Sequence, residues 1–399
     1  RLLLPSTRPS VACSLRINRA FQSHHHYRPH INTTDIDAAM DLSLVKRALV
    51  GGVGGPGDDI PTYELPSWTW IVFLLDLIIL LPILLILDYT LKTVYPIFAM
   101  VEDENPPAYE PVSLNDEPAS AADEPVRGSS KPTDGQARTV TSSLRAINRL
   151  LLANGGLRAN FRGFFCALAQ AFLTTVLMGI FTAAFGGLFT PVATLLAALA
   201  LVQFSTAWVH IVISEPSNRH FWRRLPPFKR TFDATWKPVT LYWFAAEVAR
   251  WVPLVLVALL GLELPDLRLG DRTDVHKLDG AFFGKSAVVV VVSLVCSIFL
   301  IIPANIILVR VQASLLPVDE DTIIPFDRSF EGKVEPAVVG GRGYATMTDA
   351  WATFSRAAWR RLLTLYVKIF FVCIAGVVVI CALLLPEAVM IAKKSVRVE

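Results

Sequence analysis

Charge is scarce in this chain. Asp, Glu, Lys and Arg make up only 18% of its 399 residues, against about 25% in ordinary soluble domains. Hydrophobic residues reach 53%, and the mean hydropathy is +0.49. A net charge of +3 leaves no basic surface of the size a nucleic-acid partner needs, so none is expected. Cysteine is also sparse. Cys13, Cys166, Cys296, Cys373 and Cys381 form no CxxC pair, which speaks against both a disulfide framework and a zinc site. HExxH, a phosphate-loop lysine and an HPN tripeptide are all missing. The glycine-rich run at 51–57 has no Lys-Ser/Thr to follow it and reads as a linker. No enzyme and no cofactor are therefore expected. His24, His25 and His26 stand in an otherwise featureless tail and read as incidental.

What the chain has instead is long apolar runs. Six of them, near 68–95, 164–185, 191–213, 239–262, 287–308 and 363–385, each reach the ~20 residues that cross ~30 Å of hydrocarbon as a helix. They come in three pairs, and the connection inside each pair holds a short amphipathic segment. In the first, Leu144, Ile147, Leu150 and Leu151 share one face, with Arg145 and Arg149 on another. In the second, Phe228, Phe232 and Trp236 recur every fourth residue. In the third, 347–361, Trp351, Phe354 and Ala358 oppose Arg356 and Arg360. Such basic-faced helices suit the headgroup layer. The predicted fold is an all-α membrane protein: six transmembrane helices in three pseudo-repeats with amphipathic surface helices. Its partner is the lipid bilayer.

Three regions follow. Residues 1–66 are a flexible lead-in. The first 34 contain arginine and serine but no acid, which fits a mitochondrial presequence; a true start at Met40 is the other reading. Residues 67–399 form the membrane domain. Within it, 101–138 is an acidic, proline-rich insert expected to be disordered. It carries Pro106, Pro107 and Tyr109 in a PPAY sequence. Two prolines preset a polyproline II turn that docks in the aromatic groove of a WW domain, with the tyrosine filling an adjacent pocket. HECT-type ubiquitin ligases carry such domains. Most loop cations fall in the three long connections, which places these in the cytosol or the matrix. A mitochondrial membrane is the first expectation and another endomembrane the second.

The layout resembles the mitochondrial carrier family, whose fold is three repeats of span, matrix helix and span. The third repeat has Pro303, Asn305, Leu308, Arg310 and Gln312 against the family's P-x-[DE]-x-x-[KR]-x-[KR]-x-Q. The first repeat has Gly156, Phe161, Arg162 and Gly163 against its [DE]-G-x4-aromatic-[KR]-G. The resemblance implies a solute carrier or a scaffold derived from one. Asn305 and Leu308 stand where the family has the acid and base of a gate, so an ordinary exchange cycle is not expected. The first span offers Asp88 and Lys92, differently spaced and without the motif's proline; the third offers only His210. The chain is also similar to fungal multispan proteins with an acidic PPAY segment, some of which carry ubiquitin-carrier names. The PPAY motif makes a membrane adaptor for a WW-domain ligase the alternative function.

Ionisable groups inside spans are candidate sites by default. Here they are Asp76, Asp88, His210, Glu247 and Arg250. Glu247 and Arg250 lie three apart and so on one helical face, as a substrate site or as a structural pair. A retained central cavity lined by charged residues would favour transport, and an apolar, filled centre the scaffold.

Overall fold

The computed structural model describes residues 62–64, 66–103, 139–262, 280–335 and 339–398. The presequence reading, the histidine run and the PPAY motif fall outside these residues. Two units are distinct. One, formed from the chain's two ends, contains the antiparallel strands β1 (Thr62–Glu64) and β2 (Val396–Val398), with Tyr63 opposite Arg397. The other spans residues 65–394, and its described residues are mainly helical.

Its helices are α1 (Thr69–Val101), α2 (Leu144–Ala153), α3 (Phe164–Phe185), α4 (Thr190–Ala200), α5 (Val202–Ile213), α6 (Phe228–Leu259), α7 (Gly280–Ser314), α8 (Met347–Ala352) and α9 (Arg356–Lys394). α1, α3, α6, α7 and α9 are each long and apolar enough to cross a membrane. α4 and α5, bent by 59° at Leu201, make a sixth span if taken together. The chain is thus a multipass membrane protein by the length and apolarity of its helices. Trp70, Ile71, Leu74, Leu75 and Ile78 along α1 point outward, as a lipid-facing stripe must.

α1 and α7 share an internal feature. Each contains a π-helical stretch, Ile86–Val94 in α1 and Ser297–Ile301 in α7, followed closely by Pro96 or Pro303. Proline lacks the N–H for the bond four residues back and its ring crowds that carbonyl. Tyr95 N instead donates to Thr90 O, and Ile302 N to Ser297 O, one residue further back than in an α-helix. The first span carries prolines at 82 and 96, neither at the motif's spacing from Asp88 and Lys92.

α1 and α9 run antiparallel in one register. The Lys394 ammonium lies over the Trp68 ring, Asp76 stands beside Glu387, Leu87 fills the space left by Gly376, and Arg361 donates to Glu102 O. A Cβ on Gly376 would sit 2.6 Å from Leu87 Cδ1, so glycine sets how closely the two helices approach.

The amphipathic segments differ from expectation in two of three places. α2 is a separate helix with Ile147 and Leu151 buried and Arg145 and Arg149 exposed. Phe228–Trp236, however, is the first part of the long α6, which continues through Pro238 into the membrane span. Membrane helices tolerate such a proline because neighbouring groups satisfy the freed carbonyl. The 347–361 segment is broken after α8. Ser355 Oγ accepts from Ala358 N at 2.9 Å and starts α9 as a new helix.

The main core lies at one end, where the long connections meet. Phe98, Met100 and Val101 of α1, Val212 and Ile213 of α5, and Val309 and Ala313 of α7 converge there. Ile147 and Leu151 of α2 seal it from one side, and Ile324 of the 315–346 connection packs beneath. Ala234 of α6 and Ala350 of α8 join Val311 and Leu315 in an adjoining cluster. All three amphipathic segments are thus anchored at this loop-side end.

Candidate functional site: a central cavity above a closed end

Above this core is a cavity of about 600 Å³, lined from the five membrane-length helices and from α5. That volume lies in the range of small-molecule sites, roughly 300–1,000 Å³. α1 contributes Tyr89, Lys92 and Thr93; α3 contributes Gln170 and Thr174; α5 contributes Ser205 and Trp208. Tyr242 of α6, Asn305 and Gln312 of α7 and Tyr366 of α9 complete the polar and aromatic wall. Ile97 and Val309 belong to both cavity and core, so the packed end forms the cavity floor. Lys92 is the only charged side chain in this lining among the described residues. The surface can therefore orient a polar ligand through hydrogen bonds and one cation.

The floor is closed by polar groups whose partners are distant in sequence. Arg310 is buried at 1% exposure. Its Nη1 donates to Met100 O at 3.2 Å and lies 3.8 Å from Asp103 Oδ1; Nη2 donates to Thr353 Oγ1 at 2.9 Å. Phe330 and Phe354 present their rings to its guanidinium at 5.0 and 5.6 Å. Asp103 also accepts from Asp327 N. Burial pushes the Asp103 carboxyl above the usual range, against the opposing pull of Asp327 N–H and Arg310. For Asp327, burial pushes up too, but hydrogen bonds from Ser329 and from Glu331 N, with Arg310 nearby, bring it below its ordinary value.

A second tie joins α5 and α7. His210 Nε2 pairs with Gln312 O at 2.8 Å, and Gln312 Nε2 donates to Ser205 Oγ at 2.7 Å. The connection after α7 then crosses beneath α5: Ile323 N donates to Ile213 O at 3.0 Å and Glu215 N to Asp321 O at 2.8 Å. Arg224 pairs with Glu320 below them.

The Gly156–Gly163 element makes the joint between α1, α3 and α5. Gly156–Phe161 is a 3-10 turn, and Gly163 begins α3 with φ +71°. A Cβ on Gly163 would lie 2.9 Å from Trp208 Cδ1. Trp208 Nε1 donates to Tyr89 Oη at 2.9 Å, and Tyr89 donates in turn to Arg162 O. Arg162 reaches Ser214 O and Ile211 O. The motif's aromatic and basic residues thus sit where three helices meet.

Of the intramembrane ionisable residues, Asp88 is exposed and pairs with Lys92 at 2.8 Å. Glu247 is buried, pairs with Arg250 at 3.1 Å and accepts from Trp251 Nε1 at 3.1 Å. Asp76 lies against Glu387. None of Asp76, Asp88, His210, Glu247 and Arg250 lines the central cavity, whereas Asn305 and Gln312 of the carrier-like motif do. Sequence reasoning missed Tyr89, Gln170, Thr174, Tyr242 and Tyr366 as lining residues. Their signal was available: uncharged polar groups inside otherwise apolar spans. Among the described residues, no group of three or more His, Cys, Asp or Glu is placed to hold a metal.

Glu102 closes the base of the insert between α1 and α2. Its carboxylate accepts from Val140 N, from Thr141 N at 3.1 Å and from Thr141 Oγ1, with Arg361 at 3.7 Å. No family model, curated protein or solved structure matches the chain.

Proposed function

We propose that the chain is a carrier-like membrane protein whose central cavity binds a small polar solute. The observation that carries this reading is the cavity itself: about 600 Å³, with Lys92 and the polar groups of Tyr89, Gln170, Thr174, Asn305 and Gln312 set in a largely apolar wall. A scaffold has no need of such a space, since packing it with apolar side chains would stabilise the bundle. The motif departures shape the mechanism. Asn305 faces the cavity where the carrier pattern has an acid, so it offers a hydrogen bond in place of an ionic gate partner. Arg310 instead supports the floor by joining α7 to α1. Solute binding without obligatory exchange is the behaviour this arrangement favours. The test is saturable binding or uptake by the reconstituted full chain, with Asn305→Trp as the cavity-filled control. A mitochondrial location belongs to the same reading. Fractionation with protease protection checks it.

The adaptor reading also has an observation in its favour. Glu102 staples the two ends of the insert together, so the PPAY segment starts a few residues beyond a fixed anchor on the loop-side end. A peptide covering 101–110 should bind a ligase WW domain at micromolar strength, about −8 kcal/mol or weaker. Tyr109→Ala should remove most of that binding. Unchanged binding would make the tetrapeptide a chance match.

A further inference from the structure

Beside the central cavity, between α1 and α9, lies a second space of about 360 Å³. Leu84, Leu85, Leu87, Val377 and Ile380 make its walls, with Cys373. Lys92 lines both spaces. Its counterion, Asp88, lines the groove alone. We infer that cavity and groove form one site for a single-chain amphiphile with an acidic head group, the head at Lys92 and the chain along the groove. This rests on the reading of the cavity as a ligand site and names the class of ligand.

Three observations carry the inference. The first is chemical division. The cavity side of Lys92 offers Asn305, Gln170 and Thr174, while the groove side offers aliphatic carbon. A fully polar solute would use only the first, and a hydrocarbon only the second. The second is depth. Trp68 and Lys394 mark the opposite interface. Asp88 lies 19 residues beyond Thr69, at the end of about 28 Å of helix. That distance nearly spans ~30 Å of hydrocarbon. Lys92 is therefore at headgroup level on the loop side, and the groove runs inward from it for about 12 Å along α1. A lipid-like ligand takes the same direction, head at the interface and chain inside. The third is the availability of the cation. The Asp88 and Lys92 side chains are 78% and 54% exposed and joined only as an i,i+4 pair. Pairs of this kind are weak, so an incoming carboxylate or phosphate can displace Asp88 at small cost. Gly376 opposite Leu87 keeps the two helix backbones close beneath the chain.

The test uses the full chain in nanodiscs of zwitterionic lipid, with palmitate and a photoactivatable palmitate analogue as long-chain probes and hexanoate as the short one. Palmitate should bind saturably and compete with the photo-label, while hexanoate binds about tenfold more weakly or worse. Lys92→Gln and Val377→Trp should each weaken palmitate about tenfold. Val377 is lipid-facing, so its replacement leaves the fold intact, as the unfolding temperature should confirm. Equal binding of the two acids, insensitive to Val377→Trp but lost in Asn305→Trp, would overturn the amphiphile and leave the solute cavity standing. Palmitate binding lost in Val377→Trp yet untouched by Asn305→Trp would overturn the joint site, and with it the cavity's part in this ligand. Labelling that never saturates and ignores every variant would reduce it to bilayer partition and overturn it too.

Discussion

Asp103 Oδ1 lies 3.8 Å from Arg310 Nη1, and both residues stand seven positions after a proline that follows a π-helical stretch (96 to 103, 303 to 310). The pair joins the ends of two spans that are far apart in sequence. Around it, Met100 O and Thr353 Oγ1 accept from the two terminal nitrogens, and the rings of Phe330 and Phe354 lie beside the guanidinium. This cluster holds the cavity floor shut.

Removing Arg310 should therefore be costly. Arg310→Ala leaves Asp103 without its cation and opens a void among buried groups. A loss of about 3 kcal/mol is expected, as for other broken buried pairs. Arg310→Lys keeps the charge but not the planar fork that reaches Met100 O and Thr353 Oγ1 together, so it should recover only part of the loss. Denaturant unfolding in detergent measures both. A loss below about 1 kcal/mol for the alanine variant would mean that the pair is as weak as a surface ion pair.

Asp103 also gives a pH dependence with a definite sign. Its carboxyl is raised in the folded protein, chiefly by burial. A raised group contributes stability that is fully present below its unfolded value, near ~3.9, and lost as pH rises through the folded value. Wild type should thus gain stability relative to Asp103→Asn as pH falls from neutrality into the acid range. Unfolding temperatures of both proteins across that range provide the check. A gain with rising pH would show that Arg310 outweighs burial.

Gly163→Ala should destabilise by more than about 1 kcal/mol, through two additive causes. The φ of +71° disfavours any side chain, and the new Cβ would press on Trp208. Trp208→Phe in the same background relieves only the second cause and gives up the bond to Tyr89. The double variant should therefore remain less stable than wild type. Full recovery would mean that the backbone at 163 relaxes freely.

The spans were legible because apolar runs of membrane length have few other uses. Their interruptions were harder to read. Phe228–Trp236 shows a helical repeat of aromatics that reads as a short helix of its own, yet the helix runs on through Pro238. Ser355 is an ordinary serine by sequence and acts as a helix start only because α8 ends just before it. Pro96 could have been found, since it stands to Asp103 as Pro303 stands to Arg310. The cavity wall was the least legible part. Charged residues drew attention to Glu247 and Arg250, which satisfy each other on α6. Apart from Lys92, the wall's polar groups come mostly from Tyr, Thr, Gln and Asn, which leave little mark on an apolar sequence.

The most direct measurement of the central claim is ligand binding to the reconstituted full chain over a panel of carboxylates, phosphates, amino acids and single-chain amphiphiles. The account predicts that at least one class binds saturably. That binding should fall about tenfold or more in Asn305→Trp, which fills the cavity, while the variant unfolds at the wild-type temperature. Saturable binding that Asn305→Trp leaves unchanged, or a folded protein that binds no member of the panel, would contradict it.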